Sequence, residues 1–311
     1  MQCLIYPGKL WTRLPLLAGI VAMGTLLGGL PATGQTVFIS TGDSAAFDDV
    51  PAFNLLEGDV AEVSFDSQPA WKIDTALTYF SKTMFASSEN VDACHYLSPY
   101  HVAVSTAGSS YIGGVSLSDG DVVEVSYTVV GDTWTVDSAA KIYDENLVSG
   151  RDTDALYVLG TGHLLLSFDS SVTLGAVTYD ADDIIEIVFH GNDDDGWVLD
   201  DHSLWLDGSN VFDEAANIDG FDRIAPGHVL LSTSADESIT WDGGNETLTC
   251  LEGDIVEVEF DENGTVTNAK TFFPESLFVN GEDIDAITQI PEPATLLLLA
   301  VGAAGLLRRR R

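Results

Sequence analysis

Four aspartates form the clearest chemical pattern in this chain: Asp92, Asp154, Asp219 and Asp285. Each sits in a recurring tetrapeptide, NVDA from Asn90, DTDA from Asp152, NIDG from Asn217 and DIDA from Asp283. Asn90, Asp152, Asn217 and Asp283 lie two residues before the aspartates, so in an extended chain the two sets share a face. If the four segments converge, they make a ring of carboxylate and amide oxygens. Such hard oxygens suit Ca²⁺, which accepts carboxylate, amide and backbone carbonyl ligands. A structural use is the alternative, because an aspartate at a strand entry can satisfy turn amides by an Asx-type hydrogen bond. Repetition favours the structural use, since such a need recurs in every repeat whereas catalytic sites seldom do.

Other chemistry is hard to find. His95, His101, His163, His190, His202 and His228 are scattered, and His101, His163 and His228 share one repeat position that reads as a turn. Neither HExxH nor GxSxG occurs, no Cys/His cluster has zinc spacing, and the Gly-rich turns lack a P-loop. A paired-carboxylate glycosidase remains open in principle, but so acidic a chain offers such pairs everywhere. The acidic loop Asn192–Gly196 lacks the alternate ligands and distal Glu of an EF-hand and reads as a solvated turn. Trp71, Trp134, Trp197, Trp205 and Trp241 could stack on sugars, though packing in the core is the favoured use. The expectation is a non-enzyme.

The elements that would position the aspartates are repeats. An apolar strand ending in Ser appears four times: VFIS (Val37–Ser40), VAVS (Val102–Ser105), LLLS (Leu164–Ser167) and VLLS (Val229–Ser232). An acidic turn opening a further strand follows each time: GDVAEVSF from Gly58, GDVVEVSY from Gly120, DDIIEIVF from Asp182 and GDIVEVEF from Gly253. Glu62, Glu124, Glu186 and Glu257 recur within it. Three markers in fixed order, repeating every 62 to 71 residues, define four units of about four short strands. Approximate boundaries are 35–97, 98–159, 160–224 and 225–290.

The predicted class is all-β, a four-repeat ring of four-stranded antiparallel blades like a β-propeller. A β-sandwich or a linear β-repeat array is the alternative. The first unit lacks the DxDA strand and the last ends on one, so Ala286–Ile290 is predicted to pair with Val37–Ser40 and close the ring. The pattern is similar to that of hemopexin-like four-bladed propellers, in which an Asp-Ala pair recurs near the start of each innermost strand.

Both termini read as addresses. Lys9 and Arg13 precede the apolar Leu14–Leu30 and the small residues Ala32-Thr33-Gly34, so 1–34 is expected to be a signal peptide. Leu30–Gly34 spells LPATG, a coincidental match to a sortase signal that belongs at the other end of a chain. At the C-terminus, Pro291-Glu292-Pro293 precedes an apolar run, Ala294–Leu307, and then Arg308, Arg309, Arg310 and Arg311. Fourteen apolar residues fall short of the roughly 20 a membrane helix needs. The arginines favour the cytoplasmic side, which leaves the body outside. Residues 291–311 closely resemble the PEP-CTERM sorting tail. That resemblance implies recognition and cleavage by an exosortase, with the secretion machinery and, before processing, the membrane as partners. The expected destination is the cell envelope, cell surface or extracellular matrix, with helices at both termini.

Charge narrows the partners. The chain carries 49 acidic and 12 basic residues, a formal net charge of −37. Between the two termini only Lys72, Lys82, Lys141, Arg151, Arg223 and Lys270 are basic. Such a body repels nucleic acid and anionic lipid and attracts cations, although solubility alone explains an acidic surface. Cys94 and Cys250 occupy unlike repeat positions, so nothing in the pattern demands a disulfide. The expected function is non-catalytic binding or structure at the cell surface, with polysaccharide, protein or a divalent cation as ligand. A secreted carbohydrate-active hydrolase is the alternative.

Overall fold

Runs of Val, Ile, Leu and Phe between Gly- and Asp-rich turns become blade strands of six to eleven residues. The computed structural model describes residues 35–289, apart from 51, 67–70, 88, 194 and 214–216. The expected signal peptide and sorting tail lie outside the described residues. No α-helix occurs among the described residues.

Four antiparallel four-stranded sheets form a ring like a four-bladed propeller. From the axis outward, blade 1 contains Ile284–Gln289, Gln35–Thr41, Val60–Asp66 and Lys72–Phe80. Blade 2 contains Val91–Ser98, His101–Thr106, Val122–Val130 and Thr133–Tyr143. Blade 3 contains Thr153–Gly160, His163–Phe168, Ile184–Asn192 and Gly196–Leu206. Blade 4 contains Ile218–Ala225, His228–Thr233, Ile255–Phe260 and Val266–Phe273.

The second strand of each blade is covered on both faces, which is why VFIS, VAVS, LLLS and VLLS are apolar runs without alternation. The outer strands of blades 2 and 3 are largely exposed. Four hydrophobic clusters fill the wedges between neighbouring blades. Phe38, Phe80 and Val104 join blades 1 and 2, and Phe65, Phe273 and Ile255 join blades 4 and 1.

The ring closes as predicted, with Phe38 opposite Thr288, Ile39 opposite Ile287 and Ser40 opposite Ala286. The pairing uses backbone groups that a free edge would expose to aggregation. The last strand also packs closely on its neighbour. A Cβ on Gly220 would lie 2.9 Å from Ile287 Cγ1 and 2.3 Å from Ser232 Oγ, so NIDG carries Gly where the other tetrapeptides carry Ala.

Two details differ from the sequence reading. The longer loops between second and third strands hold small ribbons, such as Ser110–Ile112 with Val115–Leu117 and Val172–Leu174 with Val177–Tyr179. The outer strand of blade 3 starts at Gly196, directly at the end of the acidic loop. Asp200, Asp201 and His202 look loop-like because that strand faces solvent and has no apolar periodicity to display.

Candidate functional site

A β-bulge positions each of the four recurrent aspartates. In blade 2 the register passes from Val91 opposite Thr106 to Ala93 opposite Ser105, which leaves Asp92 as the extra residue. The same skip isolates Asp154 between Thr153 and Ala155, Asp219 between Ile218 and Gly220, and Asp285 between Ile284 and Ala286. A bulge re-aims the side chain of its extra residue. Here it brings the aspartates of neighbouring innermost strands into one electrostatic cluster at the mouth of the channel.

The cluster has twofold character, because the residue two positions earlier alternates Asn, Asp, Asn, Asp around the ring. Asn90 Nδ2 of blade 2 donates to Asp285 Oδ2 of blade 1 at 2.8 Å. Asn217 Nδ2 of blade 4 donates to Asp154 of blade 3 and to Asp219 Oδ1, the latter at 3.0 Å. The other two interfaces set carboxylates against carboxylates: Asp92 faces Asp152 and Asp154, and Asp219 faces Asp283. Carboxylate oxygens of Asp92, Asp152 and Asp154 lie within 4.8 Å of one another. Ligands on opposite sides of one Ca²⁺ stand about 4.6–5.2 Å apart, twice the Ca–O distance.

Burial and like charge make these carboxylates hard to ionise. Desolvation, then Asp152 and Asp154, pushes Asp92 far above the usual carboxylate range. Desolvation, then Asp283, raises Asp219 to about 9. Desolvation first and neighbouring aspartates second put Asp152 and Asp283 at about 7. Burial raises Asp154 to about 7 and Asp285 to about 6, each held back by its Asn donor.

Asp92 is 8% exposed, and apart from its own amide neither carboxylate oxygen has a hydrogen-bond partner. Asn90 Oδ1, Asn217 Oδ1 and Asp283 Oδ1 are likewise buried and unpartnered. Leaving such acceptors unmatched costs about 1–3 kcal/mol each, more when charged. A cation among Asp92, Asp152 and Asp154 would match the Asp92 oxygens.

Turn amides do not explain the four ring aspartates, since no hydrogen bond to such an amide is found for any of them among the described residues. A different recurrent aspartate does that work. Asp59, Asp121, Asp183 and Asp254, in the acidic turns, accept from the amides of Lys82, Glu145, Gly208 and Glu275. Three of them also close their own turn, with Ser118, Asp180 and Leu251 as donors. The GD marker was visible in the sequence, but its partner lies more than twenty residues away.

Histidines at the shared repeat position begin the second strand and face the recurrent glutamate. His101 Nε2 lies 2.7 Å from Glu124 Oε1, His163 Nε2 lies 2.6 Å from Glu186 Oε1, and His228 Nδ1 lies 3.6 Å from Glu257 Oε1. Sequence reasoning found both positions without joining them. In blade 1 Thr36 replaces the histidine and bonds Ser64 instead. Asp193 accepts from Trp197 Nε1 in the acidic loop, which is a hydrogen-bonded hairpin end. The five tryptophans are half-buried and pack against the inter-blade clusters. Cys94 and Cys250 are both buried and free.

At the other end of the chain, residues 289–311 match the PEP-CTERM protein-sorting motif. This chain carries an exosortase sorting signal. The sorting motif implies export and delivery to the cell surface. No curated protein matches the chain. Among solved structures, it is similar to a protein from Lactobacillus plantarum, at 8% identity and a TM-score of 0.29, over 84% of this chain and 69% of the other. It is similar to a Bacteroides caccae protein of unknown function at 10% identity and a TM-score of 0.32, over 84% and 100%. It is also similar to a Trichoderma reesei carbohydrate-active enzyme of family AA12 at 10% identity and a TM-score of 0.32, over 85% and 90%.

Proposed function

We propose that this is an exosortase-processed protein of the cell surface or extracellular matrix that acts by binding, not catalysis, and that its channel mouth holds Ca²⁺. The observation that carries the cation reading is Asp92, a carboxylate buried beside Asp152 and Asp154 with no donor from another residue. Carboxylates so placed either keep their protons or take a cation. An oxygen-only ligand set selects Ca²⁺ over the softer transition metals, and the spacing suits its longer bonds better than those of Mg²⁺. Outside the cell, millimolar Ca²⁺ suffices to fill a site of modest affinity.

Isothermal titration of the chelator-treated full chain with CaCl₂ tests this. Saturable binding is expected, weakened at least tenfold by Asp92→Asn combined with Asp154→Asn. Calorimetric silence at millimolar Ca²⁺, together with an unmoved melting temperature, refutes it, because a ligand bound only to the native state must stabilise it.

A further inference from the structure

A cleft of about 760 Å³ opens between blades 1 and 2, at the end of the innermost strand opposite Asp92. Tyr79, Tyr96, Tyr100 and Trp134 line it, with Glu62 and Asp132 as its carboxylates. No lysine or arginine is among the lining residues. A smaller cleft of about 460 Å³ lies at the equivalent place between blades 2 and 3, lined by Glu124, Gly162 and Trp197, and two departures from the repeat set the larger one apart.

The first departure is Tyr100. The first two strands of blades 2, 3 and 4 are joined by two-residue turns: Pro99-Tyr100, Thr161-Gly162 and Pro226-Gly227. The second turn residue has a positive φ in all three, +59° at Tyr100, +66° at Gly162 and +75° at Gly227. Its carbonyl accepts the same strand amide each time, from Tyr127, Phe189 and Phe260. A Cβ on Gly162 would lie 2.2 Å from Phe189 O, and one on Gly227 would lie 2.9 Å from Phe260 O. Blade 2 places a tyrosine in the conformation that glycine holds elsewhere, and its side chain is 53% exposed. Strain retained for an exposed aromatic ring directs attention to function. Tyr79 fixes the turn by donating to Ser98 O and accepting from Tyr100 N, each at 3.0 Å.

The second departure is Glu62. Its three counterparts face histidines, whereas Glu62 faces Thr36, already bonded to Ser64. No side-chain hydrogen bond or ion pair to Glu62 is found among the described residues, and it lines the cleft half-buried.

We propose that this cleft binds a neutral polysaccharide chain, with Tyr100 as stacking platform and Glu62 as acceptor for sugar hydroxyls. Aromatic faces take the C–H faces of pyranose rings, and a carboxylate without a partner accepts the hydroxyls around them. The acidic surface and the lack of lining cations exclude an anionic glycan. This site uses none of the aspartates at the channel mouth and stands apart from the cation reading.

Affinity electrophoresis of the full chain through gels containing hydroxyethylcellulose, soluble starch, glucomannan or alginate tests it. Retardation is expected in at least one neutral gel and not in alginate. Tyr100→Gly should weaken retardation about fivefold to tenfold, the scale of one lost aromatic contact. Its melting temperature should hold or rise, because glycine relieves the left-handed turn. Glu62→Gln should weaken retardation, and Asp92→Asn should leave it unchanged, so failure of the cation site is read separately. The proposal falls if no neutral gel retards the wild type, or if Tyr100→Gly migrates as wild type. It falls also if Tyr100→Gly loses both binding and stability while Glu62→Gln binds normally.

Discussion

Raising the pH in the presence of a chelator should destabilise this protein, and Ca²⁺ should reverse the loss. Asp154 serves as the worked case. Its pKa is about 7 in the folded chain, raised by burial, against an ordinary 3.8. The native state therefore holds a proton that the unfolded state has released between those values. Where the native state binds more protons, stability falls as pH rises. The contribution is fully present below pH 4 and lost as pH passes 7. From pH 5 the loss is about 1.36 kcal/mol per pH step, falling to half that slope at pH 7 where the group is half ionised, or ~2.3 kcal/mol between pH 5 and pH 7 for this one group. For a domain of this size that lowers the melting temperature by roughly 5–9 °C.

The other ring carboxylates add in the same direction but are not independent, since each suppresses ionisation of the next. Ca²⁺ competes with those protons, so its stabilising effect should be larger at pH 8 than at pH 5. Scanning calorimetry from pH 5 to 8, in EDTA and in 5 mM CaCl₂, reads both effects (about 5 mM being ample for extracellular-type sites). Asp92→Asn should flatten the EDTA profile while weakening the Ca²⁺ response, which separates the ring from the repulsion of the whole acidic surface. A melting temperature that rises with pH in EDTA, or a Ca²⁺ effect greatest at pH 5, would refute the reasoning.

Two further outcomes follow from the fold. Asp121 is 1% exposed, pairs with Lys141 Nζ at 2.7 Å and accepts the amides of Ser118 and Glu145. Asp121→Ala should cost roughly 2–4 kcal/mol, because it leaves two amides unmatched and takes from Lys141 its nearest carboxylate, leaving it Asp144 at 3.2 Å and Asp193 at 3.8 Å. A urea midpoint within about 0.3 M of wild type, a loss under about 1 kcal/mol, contradicts that account. Truncation before Ile284 removes the innermost strand of blade 1 and exposes the Gln35–Thr41 edge. The truncated chain should aggregate or exchange strands, and a monomeric, cooperatively melting product on size exclusion would show that closure is dispensable.

The architecture was legible in the sequence because each blade solves the same packing problem with the same residues. The fully covered second strand must be an apolar run, and the third must alternate, so VFIS and GDVVEV repeat with their spacing intact. Ring closure was legible as well, since the first repeat begins one strand late and the last ends one strand beyond its own sheet. The exposed outer strands and small ribbons were not, because a surface strand imposes no apolar period.

The amino-acid order alone determined the four-part β plan, the ring-closing segment, the acidic surface and the C-terminal sorting signal. Tertiary structure decided what the recurrent acids do. Asp92 and Asp121 look alike along the chain, as members of fourfold aspartate sets. Only folding reveals that Asp121 receives two amides and a lysine, while Asp92 is turned by a bulge toward two more carboxylates and receives no donor from another residue. The difference lies chiefly in partners twenty or more residues away, and hydrogen-bond satisfaction across such distances is a property of three-dimensional neighbours that no local pattern encodes.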